Sequence, residues 1–291
     1  MNEKYICIVC GRKQLKRFSY HNFHYFKCKK CGLVSTYPLP TKTQIKNHYK
    51  NEFHRGNYKF LRQFSKQYTK VYQGFTEELK KYLKTGNKKI KKLKILDIGC
   101  FTGDFLYSLS KEGADVFGVE LQKDAVEIAN RILPGKVIHA DISENPFGKK
   151  KFDVVTMLGL IEHVQNPSQI MKNVSKMVKK GGVLVIQTPN SNSLFAKILG
   201  KYWPPYTPIE HIHLLNKTSL NVLLKKNGFR SKIFKNHYKI LPIAYVYNML
   251  GVFGPEIKQL LKPIEKIYNP NKSKLSLPFY VGEMFIIAEK I

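Results

Sequence analysis

An α/β fold is predicted for the 291-residue sequence, a mostly parallel sheet with helices on both faces and a small cysteine-bearing module in front of it. Three observations predict it. Strand and helix patterns alternate with short joins from Ile95 onward, which implies parallel strands covered on both faces. The run "ILDIGCFTGDF" (95–105) joins an apolar strand to a helix pattern through a glycine-bearing loop. Two C-x-x-C-G motifs stand close to the start.

The module comes first in the chain. Cys7 and Cys10 lie in "CIVCG", Cys28 and Cys31 in "CKKCG", with 17 residues between the pairs. Each motif is a tight turn that aims two thiolates at one ion, so the two together complete a tetrahedral four-cysteine site. A redox dithiol or a pair of disulfides is the competing reading, and a cytoplasmic setting opposes disulfides. With all four positions supplied by protein, the expectation is a structural zinc ribbon over residues 1–37. A fragment of about 35 residues buries too little surface to fold unaided, so the metal is expected to supply its folding energy.

"STYPLP" (35–40) reads as a linker because it ends in two prolines. Residues 38–92 then form a basic amphipathic segment: Tyr49, Phe53, Phe60, Phe64, Tyr68, Val71 and Phe75 recur at helical spacing, interrupted near Gly56. The stripe is read as core, with a lid as the second reading.

The strand at 95–98 turns at Gly99, and Gly103 precedes Phe105, Leu106 and Leu109 at helical spacing. Such a loop lets a ligand meet backbone N–H groups at a helix start. Cys100, inside the loop, reads as a small packing residue rather than a nucleophile. Downstream, "VFGVE" (116–120), "KVIHADI", "FDVVTMLGL" (152–160) and "GGVLVIQTPN" (181–190) read as strands, with helices over "KDAVEIANRIL" and from Pro167 to Lys179. In such folds ligands bind at the carboxyl ends of the strands. Glu120 ends the second strand 21 residues after Gly99, where a carboxylate accepts the hydroxyls of a ribose. The loop lacks a full G-x-G-x-x-G, so a nucleoside without phosphates fits it better than a dinucleotide.

In this order "LDIGCFTGDF", "VFGVE", "ADI" (140–142) and "FDVVTMLGLIEHV" resemble the motifs of class I S-adenosylmethionine-dependent methyltransferases, in the large group acting on small molecules. The resemblance covers residues 93–291 and implies a Rossmann-like sheet of seven strands whose last, antiparallel strand is "GEMFIIAEKI" (282–291). It implies that Asp97, Gly99 and Gly103, with Cys100 beside them, line the methionine end of the cofactor. Glu120 and the following Leu121 would hold the ribose, Asp141 and Ile142 flank the adenine, and Leu158 and Gly159 cover the cofactor near the acceptor. Residues 239–277 depart from the family as an extra segment before the last strand, read as a cap or an interfacial contact.

Methyl transfer from a sulfonium is an in-line displacement in which the enzyme contributes mainly proximity and orientation. An oxygen acceptor also loses a proton, and a histidine near neutrality can take it. Glu162 and His163 follow the fourth strand, and "EHIHLL" (210–215) puts His211 and His213 in a long loop rich in aromatic residues and proline after "YWPPYTP". His211 and His163 rank first as the base, with His213 and Glu162 behind. Trp203, Tyr202 and Tyr206 form an aromatic group able to stack on a sugar or a base.

The formal charge is +30, with 50 basic against 20 acidic side chains. Residues 95–190 hold 11 of each sign, so the excess lies in the flanks. A positive surface favours polyanions, yet few of the basic residues are arginine, the residue of bidentate phosphate contacts. No apolar run approaches the roughly 20 residues of a membrane span, and "MNEKYICIVCGRK" has no signal-peptide pattern. The expectation is a cytoplasmic enzyme methylating a small acceptor, a sugar, sugar-nucleotide or lipid-linked glycan hydroxyl, with peripheral membrane contact open to it. The alternatives are a ribosomal or transfer RNA methyltransferase gripping RNA with its ribbon and lysines, and a non-catalytic cofactor-binding scaffold.

Overall fold

The computed structural model describes residues 5–20, 22–52, 65–243, 247, 259, 263 and 275–291. Three short antiparallel strands open it: β1 (Gln14–Tyr20), β2 (Phe23–Cys28) and β3 (Val34–Tyr37). Two helices follow, α1 (Lys42–Glu52) and α2 (Ser65–Thr85). Val71, Phe75, Leu79 and Leu83 of α2 share one helical face and pack on the large sheet, with Phe75 stacked on Phe285 at 5.3 Å. This end of the expected aromatic stripe is therefore core. Phe53, Phe60 and Phe64 lie outside the described residues.

The alternating half comprises β4 (Lys94–Ile98), α3 (Asp104–Lys111), β5 (Asp115–Glu120), α4 (Lys123–Ile132), β6 (Val137–His139), β7 (Phe152–Leu158), α5 (Pro167–Met177) and β8 (Val178–Pro189). Then come α6 (Leu194–Leu199), the two-residue β9 (His213–Leu214), α7 (Lys217–Lys226) and the long hairpin strands β10 (Phe229–Pro242) and β11 (Ser276–Lys290). The seven-stranded sheet runs β10-β11-β8-β7-β4-β5-β6, with β11 antiparallel to both neighbours and β4 to β8 parallel. This is the predicted Rossmann-like sheet. Helices cover both faces of its central strands, so their apolar residues are core: Ile95, Leu96, Val154 and Val155 are fully buried.

Four local expectations are adjusted. Ser35, Thr36 and Tyr37 belong to β3 rather than to a linker, since they pair with β2 and two of them are completely buried. The helix from Pro167 stops at Met177, and Val178 already enters β8. The last strand starts at Ser276, not at 282, because β10 continues to Pro242 and pairs with it. The extra segment thus begins and ends as sheet, and most of residues 244–274 lie outside the described residues.

The cysteine module is joined to the rest through β9, which extends the small sheet to the order β1-β2-β3-β9. Cys7, Val9, Cys28, Cys31 and Leu33 share one apolar cluster with Ile161, Leu215 and Leu220. Ser168 Oγ donates to the Ile8 carbonyl at 2.7 Å and Lys226 Nζ to that of Val9 at 2.6 Å.

On β5, Gly118 holds the glycine loop against the sheet, for a Cβ there would lie 2.6 Å from Cys100 Sγ and 2.8 Å from Leu106 Cδ1. Gly118→Ala is predicted to destabilise the fold by about 1–3 kcal/mol in denaturant titration, and adding Cys100→Ala to recover part of that loss. Equal destabilisation with and without Cys100 would contradict the packing.

Candidate active site

The carboxyl ends of β4, β5 and β7 open on one side of the sheet, and the predicted cofactor residues gather there. Asp97 is 3% exposed and accepts a hydrogen bond from Thr156 Oγ1 of β7. Burial pushes its carboxyl up to about 7, with the Thr156 bond opposing and the Glu120 charge assisting. Glu120 ends β5 and spans two turns: Oε2 accepts from the Phe101 amide at 2.9 Å, Oε1 from the Leu121 and Gln122 amides at 2.7 and 2.9 Å. It thereby ties the glycine loop to the second strand. Gly99 and Gly103 both have positive φ, and at each a Cβ would approach a neighbouring side chain to 3.1 Å. The loop needs glycine on both counts.

Leu121 is 59% exposed beside Glu120, an apolar surface left open next to a carboxylate. Asp141 accepts from the Ser143 amide at 2.8 Å, and Ile142 is buried beneath it. Leu158 ends β7, and Gly159 turns the chain with φ +62° in an exposed position. Cys100 packs its buried thiol over Gly118, and burial raises its pKa, so it is held as a protonated packing group.

The second group of residues lies after β7. Glu162 is 2% exposed; its Oε2 accepts from Thr188 Oγ1 at 2.8 Å and its Oε1 stands 3.7 Å from His163 Nε2. Nδ1 of His163 lies 2.9 Å from the Glu210 carbonyl and 2.9 Å from Tyr49 Oη. A carbonyl only accepts, so Nδ1 carries the proton and Nε2 is the basic nitrogen. The same logic holds for His211, whose Nδ1 lies 2.8 Å from the Pro205 carbonyl. The two rings are 4.8 Å apart, and one ring nitrogen of each and a Glu162 oxygen lie within 4.8 Å of one another. Burial pushes Glu162 up to about 7, opposed by His211 and the Thr188 bond. Burial and the His163 charge push His211 below the usual histidine value, opposed by Glu210 and Glu162. Glu210 itself sits low: burial pushes it up, but His211, His163 and His48 outweigh that.

His213, two residues on, is built in differently. It is 1% exposed, with Nδ1 3.0 Å from Ser35 Oγ and Nε2 3.0 Å from the Gln165 carbonyl, so protein engages both ring nitrogens. Of the aromatic group, Trp203 and Tyr206 are buried in a cluster with Tyr25 and Leu214, while Tyr202 is 49% exposed.

Two members of the cluster were not singled out from sequence. Tyr49 looked like one more ring of an amphipathic stripe, and nothing in its spacing separated it from Phe75. Burial raises its pKa, with Glu210, Glu162 and Glu120 adding to the shift, so it stands among the carboxylates of both groups. Glu210 differs from an ordinary loop acid only through its fold neighbours.

The four module cysteines also converge. Their Sγ atoms lie within 4.8 Å of one another, with Cys7 to Cys31 at 3.5 Å and Cys10 to Cys28 at 3.4 Å. Sulfurs at bonding distance would be about 2 Å apart, so these are four thiols around a common point, a donor set that suits a tetrahedral metal.

A seven-stranded sheet with this order and acids at its first two strand ends is the frame of a class I S-adenosylmethionine-dependent methyltransferase. Residues 64–231, more than half of the chain, match the family described as Methyltransferase domain, and the chain belongs to it. It is 29% identical over 180 residues to the ubiquinone biosynthesis O-methyltransferase of Pelagibacter ubique, covering 54% of this chain and 73% of that one. To the protein of the same name from Aliivibrio fischeri it is 34% identical over 110 residues, covering 34% of this chain and spanning under half of the relative, 45%. In fold it is similar to magnesium protoporphyrin IX methyltransferase from Synechocystis with bound S-adenosylhomocysteine, at TM-score 0.55 and 14% identity, covering 84% of this chain and all of the other. A SAM-dependent methyltransferase from Thermotoga maritima gives TM-score 0.53 at 19% identity, covering 82% and 98% of the two chains.

The raised carboxyls give a pH signature. A carboxyl whose folded pKa exceeds its unfolded one stabilises the fold below the unfolded value and loses that contribution as pH rises through the folded value. For Glu162 the window runs from 4.5 to about 7. Glu162→Gln is predicted to gain about 1–3 kcal/mol on the wild type between pH 4 and pH 8 in cofactor-free denaturant titrations. A stability difference that does not change with pH would contradict burial as the cause.

Proposed function

We propose that the chain transfers the methyl group of S-adenosylmethionine to a hydroxyl oxygen of a small acceptor, with His163 and His211 taking the acceptor's proton. The observation that carries this reading is the pair of imidazoles whose Nδ1 atoms are locked to backbone carbonyls beside the buried Glu162. The cofactor supplies an activated methyl group on a positive sulfur. Asp97 and Gly99 hold its amino-acid end, Glu120 and Leu121 its ribose, Asp141 and Ile142 its adenine, and Leu158 and Gly159 lead toward the acceptor. Nε2 of a histidine accepts the hydroxyl proton, and Glu162 and Glu210 stabilise the imidazolium that forms. Such base catalysis contributes roughly 10²–10⁴ in rate. Tyr49 closes the cleft from the N-terminal side and fixes the orientation of His163. His213 is left out of this role because both of its nitrogens are engaged.

The relatives' name, O-methyltransferase of ubiquinone biosynthesis, supports an oxygen acceptor and favours a quinone precursor over the sugar or glycan hydroxyl expected from sequence. The four cysteines hold one structural zinc. No described helix is long and apolar enough to cross a membrane, in keeping with an enzyme that works in the cytoplasm. RNA methylation is the second reading, carried by the +30 charge alone.

Radiolabelled methyl transfer onto cell extract separated into RNA, lipid and small-molecule fractions tests the acceptor. Label is predicted in a small-molecule or lipid fraction; label confined to RNA would overturn the small-acceptor reading. On the acceptor so found, His211→Ala and His163→Ala are predicted to lower turnover about 10²–10⁴-fold while calorimetric cofactor affinity stays within about two-fold. Asp97→Ala and Gly99→Arg are predicted to abolish cofactor binding. Because His211 is shifted down, the part of the rate profile that reports its protonation is predicted to lie on the acid side of 6.5. Full turnover in both histidine variants would contradict the base assignment.

A further inference from the structure

The segment that carries His211 is held from two sides. On one side the Ile212 and His213 amides both donate to the Glu162 carbonyl, at 2.8 and 3.1 Å. On the other, the Ile212 carbonyl accepts from the Thr36 amide at 3.0 Å, and Ser35 and Val34 of β3 pair with His213 and Leu214. The loop's backbone is therefore one edge of the cysteine module's sheet.

The side chains repeat the connection. The Gln165 carbonyl only accepts, so His213 Nε2 donates to it and Nδ1 is left as an acceptor for the Ser35 hydroxyl. Ser35 Oγ accepts in turn from Gln14 Nε2 at 3.1 Å, and Gln14 Oε1 accepts from Tyr37 Oη at 3.1 Å. A buried, donor-to-acceptor chain thus runs from three module residues through His213 into the turn that follows Glu162 and His163. Gln14 Nε2 also reaches the Leu33 carbonyl at 3.4 Å, the carbonyl that pairs with the Cys28 amide. Just beyond the loop, a Cβ at Gly32 would lie 2.6 Å from Asn216 Nδ2, the residue that caps α7. The cysteine knuckle and the end of the loop are in direct contact.

We propose that His213 is a positioning residue: by joining Ser35 of the metal-held module to Gln165, it sets the place of the His211 segment, so the module fixes the acceptor side of the cleft. The proposal rests on His211 acting on the acceptor side. An error of about 1 Å in such a group costs on the order of 10² in rate. A loop of this length would roam without a template, and β3 is the template. The cofactor side is built on β4, β5 and β7 and does not pass through β9, so losing the template should spare cofactor binding.

Trp203 supplies a direct readout. It is the single tryptophan of the chain, 1% exposed, and donates to the Val281 carbonyl at 3.1 Å. It packs edge-on to Tyr206, which meets Tyr25 of the module at 4.9 Å and accepts a hydrogen bond from Arg17 at 2.7 Å. Its emission reports on the junction of module and loop.

The test uses the full chain loaded with zinc, as wild type, His213→Ala, His213→Gln and Ser35→Ala. Metal content, calorimetric S-adenosylmethionine affinity, Trp203 emission and amide exchange over residues 211–215 are measured on each. His213→Ala should keep one zinc and a cofactor affinity within about two-fold, yet exchange these amides about ten-fold faster and shift Trp203 emission to the red. His213→Gln, which retains one donor and one acceptor, should restore both signals. Removing the metal from the wild type should give the same loop signature with cofactor binding intact. Should His213→Ala fail to fold, Ser35→Ala carries the same expectation through the other end of the bond. Unchanged exchange and emission in the folded variants, or in the metal-free chain, would overturn the proposal. A wild type that does not bind the cofactor would strike the methyltransferase site reading instead, a different failure.

Discussion

One stretch of main chain ties the small sheet to the turn that follows β7. Ile212 and His213 give their two amides to the Glu162 carbonyl and the Ile212 carbonyl accepts from Thr36, so the turn after β7, the His211 loop and the cysteine module cannot move independently. Buried backbone groups must find partners, and here each partner lies on a different part of the chain. Remove the module's edge and the Ile212 carbonyl is left without its strand partner; remove the turn and two amides are.

That constraint explains why the two ends of the site have different characters. The proposed cofactor end is made by strand ends, glycine turns and a buried carboxyl, all within the alternating β-α half. Its geometry follows from parallel pairing and the close packing of Gly118 under Cys100. The proposed acceptor end is assembled from far-apart pieces: Tyr49 of α1, Glu162 and His163 after β7, Glu210 and His211 in the loop. Electrostatics couples them, since burial lifts Glu162 while the clustered histidines pull Glu210 down. The two carboxyls are thus shifted in opposite directions, the kind of divergence that acid–base chemistry uses.

The grouping of the residues proposed for the cofactor was legible in the sequence because it is local. Asp97, Gly99 and Gly103 lie within one strand-loop-helix unit, and Glu120 ends the next strand, so period and punctuation locate them. The acceptor end was legible only in residue type. His211 and His163 ranked ahead of His213 on chain position alone; the fold separates them physically, because the extended backbone of β9 turns His213 onto the module while His211 lies before it. Tyr49 was hidden in a stripe of aromatic residues that also holds Phe75, which is core. "STYPLP" read as a linker because its prolines are conspicuous and the edge strand that would pair with Ser35 is 178 residues away.

The account turns on the cofactor and the histidine pair facing one another, and a crystal structure of the zinc-loaded chain with S-adenosylhomocysteine tests that most directly. Adenosine is predicted between Glu120 and Asp141, with the sulfur opening past Gly159 toward His163 and His211. A nucleoside seated elsewhere, or a sulfur turned away from both imidazoles, would contradict it.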